Sequence, residues 1–152
     1  MQIELPDEAA TARLGARLAD LLAPGDVVIL QGDLGAGKTF LVRAIARALG
    51  VPEETPVTSP TFALVHELPA RVPLVHVDLY RLGDPDELVE LGLFHRLGEE
   101  AIVLVEWGER FAEHLEPVAL RLHFELTGAT SRRLGIGARS PRGHEILARL
   151  AG

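Results

Sequence analysis

Val27-Val28-Ile29-Leu30-Gln31-Gly32-Asp33-Leu34-Gly35-Ala36-Gly37-Lys38-Thr39 decides the fold of this chain. The first four residues form a continuous apolar run, as expected of a strand buried on both faces, and the run ends at Gln31-Gly32. Residues 32 to 39 then spell G-x-x-x-x-G-K-[ST], a phosphate-binding loop. Lys38 is the only lysine among 152 residues, so the one compact ammonium of the chain sits inside that loop. A point charge on a flexible stem reaches the β and γ phosphates of a nucleotide together, where a planar guanidinium is too wide. Beyond the loop, Phe40, Leu41, Ala44, Ile45, Ala48 and Leu49 recur at helical spacing until Gly50 stops the helix. Strand, glycine loop and helix therefore occur in the order the motif requires. Gly32, Gly35 and Gly37 permit close backbone approach, so successive N–H groups from Asp33 to Phe40 converge on phosphate oxygens at the positive end of the helix. The Thr39 hydroxyl is placed to ligate magnesium.

Upstream, Asp7 and Glu8 open a helix whose Leu14, Leu18, Leu21 and Leu22 share one face, ending near Ala23-Pro24-Gly25. Downstream, Phe62 to Leu68 and Val72 to Val77 read as strands joined by a turn at Pro69 to Arg71. Asp84 to Leu91 reads as a short helix with Gly92 as its stop, and Ala101 to Val105 as another buried strand. Alternating apolar strands and helices indicate an α/β domain with a largely parallel core. Val118 to Leu126 alternates apolar with polar residues, Thr127 to Ser131 is a turn, and Arg132 to Ala138 returns as a hairpin partner. So short a turn demands an antiparallel pair. Ser140-Pro141 opens a terminal helix.

Composition bounds the function. With 47% hydrophobic residues the chain can bury one sizeable core, which predicts a single domain over residues 1–152. A net charge of −7 argues against a surface that grips DNA or RNA unaided. The absence of cysteine excludes a disulfide framework, a thiolate zinc site and a cysteine nucleophile. No apolar stretch reaches membrane-spanning length and the N-terminal residues lack the pattern of a signal peptide, so no membrane association and a cytoplasmic location are expected.

Two acids end apolar strands. Asp78 follows Pro73 to Val77 and Glu106 follows Ala101 to Val105; in a parallel sheet both ends lie near the loop, where magnesium takes oxygen ligands from Thr39, carboxylates, phosphates and water. Thr58-Ser59-Pro60-Thr61 places Thr58, Ser59 and Thr61 where other phosphate-loop proteins sense the γ phosphate, although Ser, Thr and Pro serve an ordinary turn equally well. Trp107, directly after Glu106, either packs in the core or lies beside a nucleotide. His76 and Asp78 share a strand face, where a neutral packed imidazole beside the acid is the simpler account than a metal pair.

The motifs Gly32 to Thr39, Thr58 to Phe62, His76-Val-Asp-Leu-Tyr-Arg-Leu82 and Val105-Glu-Trp107, in this order, resemble the signatures of the TsaE family, also called YjeE. The resemblance is strong over about residues 25 to 110. It implies a P-loop NTPase-like three-layer α/β domain, with a mostly parallel central sheet and an antiparallel C-terminal addition. It further implies a small ATPase, with ATP/ADP and Mg2+ as cofactors, required for threonylcarbamoyladenosine modification of tRNA. Its partners are then TsaB and TsaD, with tRNA reached indirectly through their complex. The same resemblance implies that Lys38 and Thr39 bind phosphate and magnesium, that Asp78 and Glu106 serve the metal and its water, and that Thr58 to Thr61 form a switch-like loop. Either acid orients the attacking water. No arginine finger is evident, which predicts slow hydrolysis alone and stimulation by partners. A small-molecule kinase is the competing reading, with Arg132-Arg133 and Arg139 with Arg142 as its only lid candidates; these are expected on solvated faces of the hairpin and terminal helix. A nucleotide-gated module without turnover is a third. A GTPase is disfavoured, because no Asn-Lys-x-Asp signature exists without a second lysine.

Overall fold

In a computed structural model of the chain, residues 1–33, 35–58, 65–90 and 100–152 are described. The apolar run is β2 (Val27–Gln31), with Val27 to Leu30 all buried. Parallel to it lie β5 (Ile102–Glu106) on one side and β6 (Leu120–Leu126) on the other, and β4 (Leu74–Asp78) extends the parallel set beyond β5. Burial on both faces explains why β2 and β5 are apolar up to their last residue and β4 is apolar but for His76 and Asp78, while β6, with one wet face, alternates. At one edge β7 (Arg132–Gly137) returns antiparallel to β6 and β1 (Gln2–Leu5) pairs antiparallel with β7; at the other, β3 (Val65–Leu68) is antiparallel to β4. The described residues thus form a seven-stranded mixed sheet in the order β1-β7-β6-β2-β5-β4-β3.

The antiparallel C-terminal hairpin matches expectation. The description of the sheet as mostly parallel holds only for its four central strands, because both edges are antiparallel. β1 was not anticipated: four residues with one fully buried side chain, Leu5, carry too little periodicity to be separated from a polar N-terminal segment. The short turn-plus-helix at Glu109–Leu115 was missed for the same reason. The expected strand start at Phe62 and the helix stop at Gly92 lie outside the described residues.

Helices cover both faces. α1 (Glu8–Leu21), α2 (Lys38–Ala48) and α5 (Pro141–Ala151) pack on the face carrying Val28, Leu30, Leu104 and Leu122. The opposite face, with Val27, Ile29, Val103 and Val105, is covered by Leu88 of α3 (Asp86–Glu90), by Leu115 of α4 (Ala112–Leu115) and by Phe111 in the short turn just before α4. Leu18, Leu41 and Ile45 are wholly buried, each worth roughly 1.5–3 kcal/mol of apolar burial. Local chemistry sets the helix starts: Asp7 accepts from the Ala10 N–H at 2.9 Å and Ser140 from that of Gly143 at 3.0 Å.

Two contacts fix α1 against its neighbours. Gly15 lets α2 approach so closely that a Cβ there would stand 2.5 Å from that of Ala44. Arg142 of α5 bonds the Asp26 carboxylate at 2.8 Å and the Leu21 carbonyl at 2.7 Å, just where α1 gives way to β2. That arginine therefore braces the fold instead of standing on a solvated face, which corrects the sequence expectation. Because α1 runs into the start of β2 and α2 leaves its end, the N-termini of both helices lie beside the glycine loop.

Candidate functional site

The loop emerges at the carboxyl end of β2, between β5 and β6. Its shape depends on glycine where the backbone is left-handed: Gly37, immediately before α2, has φ 112°. Gly32 has φ 144°, and a Cβ on it would meet the Phe124 carbonyl oxygen at 2.8 Å. α2 starts at Lys38, so its N-terminal amides and positive dipole end face the loop.

Lys38 is 4% exposed. Its ammonium donates to the Gly32 carbonyl and lies 3.5 Å from the centre of the Trp107 ring. Burial pulls its pKa below the ordinary lysine value, against the opposing pull of Glu106, Glu109, Asp78 and Asp33. The lysine is thus a buried cation whose charge is supported by the surrounding acids. Trp107 has φ 60°, a left-handed backbone that costs a bulky residue on the order of 1–3 kcal/mol. Its ring also meets Tyr80 at 5.0 Å between centroids.

Parallel pairing brings the two acids together, since Asp78 and Glu106 are direct register partners on β4 and β5. Glu106 is 2% exposed and accepts from the Thr39 hydroxyl at 3.1 and 3.2 Å and from His76 Nε2 at 2.6 Å. The buried His76 therefore braces Glu106, the acid on the neighbouring strand. Asp78 accepts from the Tyr80 N–H at 2.9 Å; burial nevertheless pushes its pKa above the ordinary carboxylate value, and Glu106 adds to the rise. One hydroxyl and two carboxylates offer hard oxygen donors suited to Mg2+. The described residues contain no cluster of three or more His, Asp or Glu side chains able to hold a metal, so the remaining ligands would come from phosphate and water.

These groups open on one cavity of about 480 Å³. Gly35, Gly37, Lys38, Thr39, Phe40 and Trp107 line it, as do both acids. Asp33 borders a smaller adjoining hollow of about 280 Å³ together with Ala36. Thr58 is exposed and is not among the cavity's lining residues. Leu34, Ser59 and Thr61 lie outside the described residues.

Sequence reasoning missed part of the wall. Glu8 and Thr11 of α1, Tyr80, and Thr130 and Arg132 of the β6–β7 turn also line the cavity. Arg132 was expected on a solvated face; instead it bonds the carbonyls of Ala36 and Gly35 in the loop. Its alternation in β7 gave no hint of this, because the contact is made across the hairpin turn. Arg133 pairs with Glu4 on β1 at 2.7 Å.

A mixed α/β sheet with helices on both faces, whose glycine loop opens between parallel strands onto paired carboxylates, defines a protein with one built polar site at its strand ends. Residues 5–134 match the family model described as "Threonylcarbamoyl adenosine biosynthesis protein TsaE", and the chain belongs to that family, which takes part in tRNA threonylcarbamoyladenosine biosynthesis. Among similar proteins, the tRNA threonylcarbamoyladenosine biosynthesis protein TsaE of Streptomyces coelicolor is 49% identical over 116 residues, 74% of this chain and 76% of the relative. That of Mycobacterium tuberculosis is 44% identical over 140 residues, covering 86% and 82%. The crystal structure of Bacillus subtilis YdiB aligns with a TM-score of 0.81 at 27% identity, covering 99% of this chain and 93% of the other. Among the described residues no helix is long and apolar enough to cross a membrane.

Proposed function

We propose that the chain is a P-loop NTPase-like ATPase of 152 residues in one domain that binds ATP with Mg2+, hydrolyses it, and thereby supports TsaB and TsaD in modifying tRNA. The observation that carries this reading is the convergence of Lys38, Thr39, Asp78 and Glu106 on a single cavity at the start of α2. The loop amides and Lys38 hold the phosphates, with Lys38 exchanging the Gly32 carbonyl for phosphate oxygens. Thr39, Asp78 and Glu106 would hold the metal, which offsets phosphate charge when bound. His76 fixes the orientation of Glu106, and Asp78 or Glu106 orients the attacking water. Trp107 and Tyr80 exclude water around Lys38 and strengthen the electrostatics there.

The kinase alternative draws no support from its candidate arginines: Arg132, Arg133 and Arg142 are engaged in loop, strand and helix contacts, and Arg139 is exposed and does not line the cavity. The cytoplasm, where tRNA is modified, is the fitting location. Phosphate release from ATP by the purified chain tests the reading, measured alone, with TsaB plus TsaD, and with small phosphoryl acceptors. Release that rises with the two proteins and ignores the acceptors is expected. ADP formation that depends on an acceptor would make the chain a kinase, and ATP binding without turnover in any mixture would leave a nucleotide-gated module.

A further inference from the structure

The β6–β7 turn reaches the glycine loop through one side chain. Arg132, the first residue of β7, donates from Nε to the Ala36 carbonyl at 2.9 Å and from one terminal nitrogen to that of Gly35 at 3.4 Å. Its other terminal nitrogen serves the carbonyls of Ser131 at 2.9 Å and Gly128 at 3.4 Å. The guanidinium fork thus ties two loop carbonyls to two of its own turn.

Those loop carbonyls flank the glycines whose backbone is least constrained, Gly35 at φ 78° and Gly37 at φ 112°. Glycine accepts alternative peptide orientations at little steric cost, so selection of one must come from outside the loop. A planar trans peptide directs its N–H opposite to its C=O. Holding the Ala36 carbonyl therefore fixes where the Gly37 N–H points. The Gly35 peptide is fixed at both ends, by Arg132 at the carbonyl and by the Ala36 N–H donating to the Asp33 carbonyl at 3.0 Å.

We infer that Arg132 is a positioning residue that sets the peptide planes of the glycine loop before an anionic ligand arrives. This rests on the proposed reading of the loop as the phosphate site. A lysine would keep the charge and lose the planar fork, so geometry and charge are separable by substitution.

The test compares wild type with Arg132→Ala, Arg132→Lys and Arg132→Gln by two readouts. The first is backbone amide NMR of Gly35 and Gly37 in the ligand-free protein, with the amides of α2 and β6 as folding controls. The second is ADP affinity by calorimetry beside the KM and kcat of ATP turnover. In the alanine variant the two glycine amides should show exchange between conformations. ADP affinity should fall about tenfold, as for the loss of a pair of organising hydrogen bonds. KM should rise similarly, with a far smaller change in kcat, and lysine should resemble alanine. Unchanged glycine amides in the alanine and glutamine variants would overturn the inference, as would full affinity in the lysine variant, which would make Arg132 a bare charge. A collapse of kcat at constant KM would place it on the transition state instead. If wild type itself fails to bind ADP, the ATPase reading falls, and the glycine amides still decide whether Arg132 orders the loop.

Discussion

The cavity has two walls of different origin. One is continuous in sequence, running from β2 through the glycine loop into α2, and it is made largely of backbone. The other is assembled from the ends of β4 and β5 and the start of β7, and it is made of side chains: the buried Asp78 and Glu106 and the half-buried Trp107 and Arg132. The first wall presents backbone amides at the positive end of a helix, where no side-chain charge has to be buried to attract an anion. The second buries charges that cost stability unless paired. The contrast locates where binding resides and where function is bought at the expense of folding energy.

The sharpest way to break the comparison is to remove the loop lysine, which reaches from the first wall to the Trp107 ring of the second. Lys38→Ala should lower ATP turnover by roughly 100- to 1,000-fold, the scale for losing a preorganised charge contact, while the thermal unfolding midpoint stays near that of wild type. Turnover at the wild-type level in that variant would detach the loop from the chemistry. On the assembled wall, Glu106→Gln keeps the shape and the contacts to His76 and Thr39 but halves the carboxylate pair. Turnover should fall about a hundredfold, with a rise in the Mg2+ concentration needed for half-maximal rate. An unaltered Mg2+ requirement would remove Glu106 from the metal site.

A third substitution asks whether the continuous wall depends on its support. Gly15→Val places two methyl groups where a single Cβ already stands 2.5 Å from Ala44. Overpacking should cost about 2 kcal/mol in urea unfolding. If the helices splay, nucleotide affinity falls with stability, because Thr11 and Phe40 each lie one turn before the contact and line the cavity. A loss of stability without loss of affinity would show that the loop is shaped by β2 and Arg132 alone.

Legibility followed the same division. Gly32 to Thr39 was readable because its chemistry is local: the glycines, the lysine and the threonine act on one ligand from consecutive positions. Asp78 and Glu106 were readable at one remove, since acids that close apolar parallel strands all lie at the carboxyl end of the sheet, and in the structure the two are register partners. Arg132 was not readable. Its polar position in an alternating strand is what any solvated hairpin residue shows, and its contact with the loop depends on where β7 sits beside β6. His76 was recognised as packed, but its partner belonged to the neighbouring strand. β1 escaped because an edge strand of four residues contributes a single buried side chain.

The smallest effect isolates the cost of the assembled wall. Asp78 has its pKa raised above the ordinary value of 3.8, first by burial. An acid that holds its proton more tightly when folded favours the native state below the unfolded value, and that advantage is lost as pH rises through the raised native value. An asparagine in its place would be neutral throughout and can still accept from the Tyr80 N–H, so Asp78→Asn should match wild-type stability in acid. With rising pH above 3.8 the variant should become the more stable of the two, levelling off once the native carboxyl is ionised. Unfolding free energies of both proteins across that range measure the difference, in the absence of magnesium. Lys38 contributes in the opposite sense, since its lowered pKa makes the charged form costly below the native value and neutral in effect above 10.5, but it is present in both proteins and is common to the two curves. Saturating Mg2+ with ADP should reverse the order of the two proteins, because a cation beside Asp78 favours the ionised form that burial opposes. If the two stability curves run parallel with and without the ligands, the carboxyl of Asp78 carries no buried charge and the second wall is no more costly than the first.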